Sequence, residues 1–188
     1  PVEIGCDVAR YGDDFTSIDV LRGPVSLHQE THNVWNTTQT AGRLKELARE
    51  WGRYTGQVPQ TMLVKVDDDG VGGGVVDQAD DYAFEPVSAN SPAIETEKYP
   101  NRRSELWFGV SERANDGRLS LVRLDAATRR ELRRQALMPT WRLDSQGRRV
   151  VESKDDTKKR LKRSPDDMDA ANLAYAPSRR MSSYVDFV

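Results

Sequence analysis

Aspartates gather in three short groups far apart in the chain: Asp7 with Asp13 and Asp14, then Asp67 to Asp69, then Asp166, Asp167 and Asp169. Carboxylates brought together in a fold repel one another and cost stability unless a cation neutralises them. A fold that unites these groups therefore implies a hard divalent ion such as Mg²⁺ or Mn²⁺, held by oxygen ligands. Few other donors exist. Cys6 is the sole cysteine, which excludes an internal disulfide and a multi-cysteine zinc site. The two histidines, His28 and His32, read as surface residues of one strand face. The run Asp67-Asp68-Asp69-Gly70 lacks the remaining ligands of an EF-hand calcium loop.

The charge distribution points to a polyanionic substrate. Residues 1 to 117 carry 11 Lys and Arg against 20 Asp and Glu, whereas residues 118 to 163 carry 15 against 6. An acidic body beside a basic segment suits an enzyme whose carboxylates bind metal and whose cations bind phosphates. The candidate DNA contacts are Arg148, Arg149, Lys154, Lys158, Lys159, Arg160, Lys162 and Arg163, which would grip backbone phosphates without selecting sequence. Arg129, Arg130, Arg133 and Arg134 read instead as the solvated face of a helix.

Those residues need elements to place them. Alternating apolar runs predict strands over 2–8, 16–21 and 25–34, forming an antiparallel meander. Ala41, Leu44, Leu47, Ala48 and Trp51 recur at helical spacing, with Asn36 or Thr37 as N-cap and Gly52 and Gly56 at the exit. A short strand, 61–66, ends at Asp67 before a glycine-rich turn and a helix over 75–82, and a fifth strand follows at 84–88. The stretch 89–101 reads as a long surface loop, and helices follow at 104–115 and 126–137. Around DSQG the pattern predicts a basic hairpin. The run 154–163 is too charged to bury and reads as a mobile basic loop. Pro165 then starts a last helix, with Asp166, Asp167 and Asp169 in its first turn and Ala170, Ala171, Leu173 and Ala174 on its buried side.

This is an α/β order: a mixed sheet of five or more strands, 3-2-1-4-5, flanked by helices, as in the ribonuclease H-like fold. There the first and fourth strands run parallel and adjacent, which places Asp7 and Asp67 about one strand spacing, roughly 4.8 Å, apart at their C-terminal ends. Asp166 and Asp169, three residues apart on one helical face, close the site. Trp107 and Phe108 read as core.

The segments IGCDVARYGDD, VDDDGVGGGVVD, NRRSELWF and ESKDDTKKRLKRSPDDMDAANLAYA resemble, in order and spacing, the nuclease domain of the large terminase subunit of tailed bacteriophages. The resemblance implies a metal-dependent endonuclease that cuts concatemeric viral DNA during genome packaging, with two Mg²⁺ or Mn²⁺ ions. By motif, Asp7, Asp67 and Asp169 are the implied catalytic ligands, and Asp13 and Asp166 the auxiliary ones. The aspartate run leaves the choice among Asp67, Asp68 and Asp69 open. Residues 1–177 would form the nuclease domain, including the basic hairpin and loop at 139–163, and 178–188 a flexible tail.

The chain has no GxxxxGK[ST] motif, so the terminase ATPase domain is expected upstream in the same full-length chain. Double-stranded DNA is the expected partner, with small terminase and portal as further ones, no membrane, and the infected host's cytoplasm as location. The alternatives are another ribonuclease H-like enzyme, such as a Holliday-junction resolvase or transposase core, and a non-catalytic module that binds DNA or a portal protein.

Overall fold

A computed structural model describes residues 1–9 and 15–178. Asp13, Asp14 and the stretch 179–188 therefore lie outside the described residues. Five strands, β1 (Val2–Asp7), β2 (Phe15–Arg22), β3 (Val25–Asn33), β4 (Leu63–Asp67) and β5 (Phe84–Val87), form one mixed sheet in the order β3-β2-β1-β4-β5. β1 runs antiparallel to β2 and parallel to β4, with Cys6 opposite Val66. Asp7 and Asp67 thus stand at the same end of neighbouring central strands, where open α/β sheets place their sites.

Strand periodicity sorts the two faces. Val2, Ile4, Cys6, Ile18, Val20, Val64 and Val66 face one core, packed on Ala41, Leu44, Leu47 and Ala48 of α1 (Thr37–Thr55). Asn36 caps α1 in a capping box with Gln39, and Gly56, in the left-handed region at φ 75°, ends it. The intervening residues Gly5, Asp7, Lys65 and Asp67 belong to the other face, where α6 (Asp166–Ala174) lies against β1 and β2. A second core joins α6 to α3 (Arg102–Asn115), α4 (Ala126–Ala136) and Val151 through Trp107, Val110, Leu132, Met168, Ala171 and Tyr175.

The glycine turn after β4 is shorter in its helical part than the sequence predicts: α2 is the single turn Gly73–Val76. Space dictates the glycine at 72, since a Cβ there would lie 1.6 Å from the carbonyl oxygen of Asp67. The DSQG hairpin forms as expected from β6 (Trp141–Leu143) and β7 (Arg149–Val151). The expected basic loop does not. Residues Lys154–Leu161 form a helix, α5, because Ser153 caps it, Asp155 and Asp156 occupy its first turn, and Lys158, Lys159 and Arg160 occupy its last. Those charges complement the helix dipole at both ends, and Thr157 is its buried residue. No helix among the described residues is long and apolar enough to cross a membrane.

Candidate metal centre

β1 delivers Asp7, β4 delivers Asp67 and the first turn of α6 delivers Asp166 and Asp169. All four line one cleft of ≈300 Å³ together with Lys154. The Lys154 ammonium lies 2.7 Å from Asp7 Oδ2, 2.9 Å from Asp166 Oδ1 and 3.4 Å from Asp169 Oδ2. The Lys154 ammonium thus stands between three carboxylates from two distant segments. Asp7 is only 3 % exposed and Asp166 6 %, so solvent cannot screen their repulsion.

The ionisation of the cluster follows from that burial. Desolvation pushes the Asp7 carboxyl well above its usual range; the Lys154 charge opposes this, and Asp169, Asp166 and Asp67 add to it. Asp67 is raised to about 6, first by desolvation and then by Asp69 and Asp169, against a hydrogen bond from the Asp69 amide and the charge of Lys154. For Lys154, burial favours the neutral amine, yet the charges of Asp7, Asp169 and Asp166 prevail and hold it protonated.

The residues fit a hard divalent ion. Their donors are all oxygens, and among the described residues Asp166 Oδ1 and Asp169 Oδ2 are buried with the Lys154 ammonium beside them and no hydrogen bond that meets the geometry of one. Among the described residues no three such groups form a ready cage for an ion, and the Lys154 ammonium stands at the centre instead.

Each sequence-predicted aspartate has a distinct position. Asp67 Oδ1 accepts the Asp69 amide at 3.1 Å, Asp68 is exposed, and Asp69 accepts from Ser88 Oγ at 2.5 Å and the Asn90 amide at 3.1 Å. Asp69 therefore ties the turn to the loop after β5. Asp167, read from sequence as either a dipole partner or a ligand, faces the other way. It accepts from Ser17 Oγ and Thr31 Oγ1 at 2.7 Å and Gln135 Nε2 at 2.9 Å, stapling α6 to β2, β3 and α4.

Of the basic residues named from sequence, the fold brings only Lys154 into the cleft. Arg148 pairs with Asp144, Arg149 with Glu112, Arg160 with Glu152 and Arg163 with Glu131. Lys159 is exposed beside Asp156, Lys158 is half-buried on α5, and Lys162 caps that helix at φ 58°. His28 and His32 do have partners: both contact Glu30, which also binds Arg43. Cys6 is buried, and burial raises its thiol pKa.

Sequence reasoning missed three further residues of the cleft. Arg103 and Trp107 of α3 both donate to Asp169 Oδ1, from Nη1 at 3.2 Å and Nε1 at 3.0 Å. Asn172, one turn after Asp169, lines the cleft with neither amide atom hydrogen-bonded among the described residues. The NRRSELWF segment was the available signal for the first two, but composition alone cannot tell a core tryptophan from one that donates to a carboxylate.

No protein-family model matches the sequence, and no curated protein matches it. Solved structures do. The nuclease domain of the large terminase subunit gp2 of bacterial virus Sf6 superposes with a TM-score of 0.78 at 16 % identity, over 94 % of this chain and 88 % of that one. The fold is that of a terminase nuclease domain. A point mutant of the Sf6 domain, solved with manganese and beta-thujaplicinol, gives the same figures. The large terminase nuclease from thermophilic phage G20c with bound magnesium matches with a TM-score of 0.66 at 17 % identity, over 93 % of this chain and 79 % of that one. The terminase-nuclease fold accounts for the strand order β3-β2-β1-β4-β5.

Proposed function

We propose that this chain is the nuclease domain of a phage large terminase subunit, a divalent-metal-dependent endonuclease that cuts concatemeric viral double-stranded DNA during packaging. One observation carries the reading: carboxylates of β1 and α6 meet at the Lys154 ammonium, with Asp67 of β4 lining the same cleft, in a fold shared with nucleases solved with manganese and magnesium.

Asp7, Asp67 and Asp169 are the proposed ligands, with Asp166 as the auxiliary one; Asp13 keeps that role as a candidate from sequence only. When bound, two Mg²⁺ or Mn²⁺ ions would activate water for in-line attack and stabilise the departing 3′ oxygen. The chain's own residues supply the rest. The sheet and α6 hold the carboxylates, and Lys154 neutralises them until an ion arrives. The exposed basic residues of α5 and the hairpin bind phosphates outside the cleft. The domain spans residues 1–177, with an ATPase domain upstream in the full-length chain, small terminase and portal as partners, and the infected cell's cytoplasm as its place of action.

The test is incubation of supercoiled plasmid with the protein and Mn²⁺. Nicked and linear products that vanish with EDTA support the reading; intact plasmid at all Mn²⁺ concentrations refutes it.

A further inference from the structure

We infer that Trp107 and Arg103 decide which oxygen of Asp169 faces the metal, making Oδ2 the ligating atom and Oδ1 a fixed anchor. The inference rests on the metal-dependent nuclease reading and adds to it a pair of positioning residues.

A carboxylate oxygen offers about two lone-pair sites. At Asp169 Oδ1 both are taken, by the indole N–H of Trp107 at 3.0 Å and by Arg103 Nη1 at 3.2 Å. Oδ2 is the opposite case: it is buried and accepts no hydrogen bond from the described residues, with the Lys154 ammonium 3.4 Å away. The two oxygens of one side chain are thus sorted, one saturated by α3 and one turned toward the cation position shared with Asp7 and Asp166.

The donors are themselves held. Arg103 Nε donates to the carbonyl of Glu152 at 3.0 Å, next to the cap of α5, and its guanidinium lies 5.5 Å from the centre of the Trp107 ring. Trp107 is 9 % exposed and packs in the second core. The arrangement is rigid on the α3 side and open on the Oδ2 side. Partners behind a metal ligand that fix its orientation typically change metal affinity by about 10- to 100-fold when removed. The Arg103 contact is single rather than a two-pronged fork, which would have engaged both oxygens, so Oδ2 is left out of it.

The sorting makes a distinctive prediction for Asp169→Asn. An amide has one acceptor oxygen and one donor nitrogen. With Trp107 and Arg103 both demanding an acceptor, the amide oxygen must turn to them and present its NH₂ to the metal. Asp169→Asn should therefore bind Mn²⁺ no better than Asp169→Ala. Freed of both donors, the amide can turn and ligate through its oxygen, as asparagine does for hard cations.

The experiment is a calorimetric Mn²⁺ titration, with melting temperature in EDTA as the folding control. Trp107→Phe removes the N–H and replaces the indole with a smaller ring, a packing loss that the melting temperature in EDTA measures; Arg103→Met removes the second donor. Each should weaken Mn²⁺ binding about 10- to 100-fold with the apo melting temperature within a few degrees of wild type. Placing Asp169→Asn in the doubly substituted background should raise Mn²⁺ affinity above that of Asp169→Asn alone, which a merely structural role would not do. Wild-type affinity in both donor variants, or Asp169→Asn binding well with Trp107 and Arg103 intact, would overturn the inference. Wild-type protein that binds no Mn²⁺ would instead sink the metal-dependent reading beneath it.

Discussion

Gly5 of β1 lets the backbone of α6 approach so closely that a Cβ built on it would stand 2.2 Å from the carbonyl oxygen of Ala170. The nitrogen of Ala174 would be 2.3 Å away. Both obstacles are backbone, so no rotamer change relieves them. This contact sets the height of α6 above the sheet, and with it the distance of Asp166 and Asp169 from Asp7.

Gly5→Ala should therefore cost stability in the overpacking range of about 1–3 kcal/mol, and cost Mn²⁺-dependent cleavage more than that loss explains. Gly42→Ala in α1 is the control. A Cβ there meets nothing within 4 Å, so it should gain up to about 1 kcal/mol from helix propensity. Chemical denaturation of both variants beside plasmid cleavage checks this. Equal activity of Gly5→Ala and wild type would mean that α6 does not position the ligands.

The aspartate triplet after β4 divides by exposure and partner. Asp67→Ala should be inactive, since Asp67 lines the cleft. Asp68→Ala should cleave normally, since its side chain points to solvent. Asp69→Ala should lose about 1–3 kcal/mol of stability with the bonds from Ser88 and Asn90. Plasmid assays and melting curves on the three variants separate the roles, and an inactive Asp68→Ala would show the register to be wrong by one.

Lys154 should act as a resident counter-cation. Removing its charge with Lys154→Met leaves Asp7, Asp166 and Asp169 to repel one another, so the apo protein should melt lower; each 1 kcal/mol lost corresponds to about 2–4 °C for a domain of this size. Mn²⁺ should then raise the melting temperature further than in wild type, by mass action on the folded state. Thermal melts in EDTA and in a Mn²⁺ series measure both. An unchanged apo melting temperature with an unchanged Mn²⁺ response would remove Lys154 from the electrostatics of the site.

A second buried acid gives a pH signature. Asp19 is 0 % exposed on β2, accepts from Ser26 Oγ at 2.6 Å, and is raised from 3.8 to about 7, chiefly by desolvation, with Asp167 adding and Ser26 and His28 opposing. The folded state therefore holds this proton more tightly than the unfolded chain. The stabilisation is complete below about pH 3.8 and is lost as pH rises to about 7, to a total on the order of 4 kcal/mol. Asp19→Asn mimics the protonated acid and should flatten that part of the profile. Denaturation of both proteins at pH 4, 5.5 and 7.5 should show their stabilities diverging with pH in favour of Asp19→Asn. A constant difference would show that Asp19 titrates normally.

The sheet was legible in the sequence because its central strands carry strict alternation and end on aspartates. Order 3-2-1-4-5 follows from a meander, a crossover helix and two more short strands, and all five strands form within a residue or two of expectation. The final helix was legible from Pro165, the aspartates of its first turn and the small apolar residues that follow: Ala170, Ala171, Leu173 and Ala174 are all buried. The segment at 154–161 was not, because its helix is built from capping and dipole charges rather than an apolar stripe. Lys154 could be read as cationic but not as central, since nothing local to its sequence shows that Asp7 lies 147 positions away in the chain and 2.7 Å away in space. Arg103 and Trp107 were hidden similarly, being bonded to an aspartate more than 60 positions distant.

The central claim is that Asp7 holds a metal required for phosphodiester cleavage, and the most direct measurement compares wild type with Asp7→Asn on supercoiled plasmid in Mn²⁺. The account predicts metal-dependent nicking and linearisation by wild type, stopped by EDTA. It predicts no cleavage by Asp7→Asn, whose fold in EDTA is as stable as wild type or more so, because a buried carboxylate next to three others has been neutralised. Cleavage by a folded Asp7→Asn protein at the wild-type rate would contradict it.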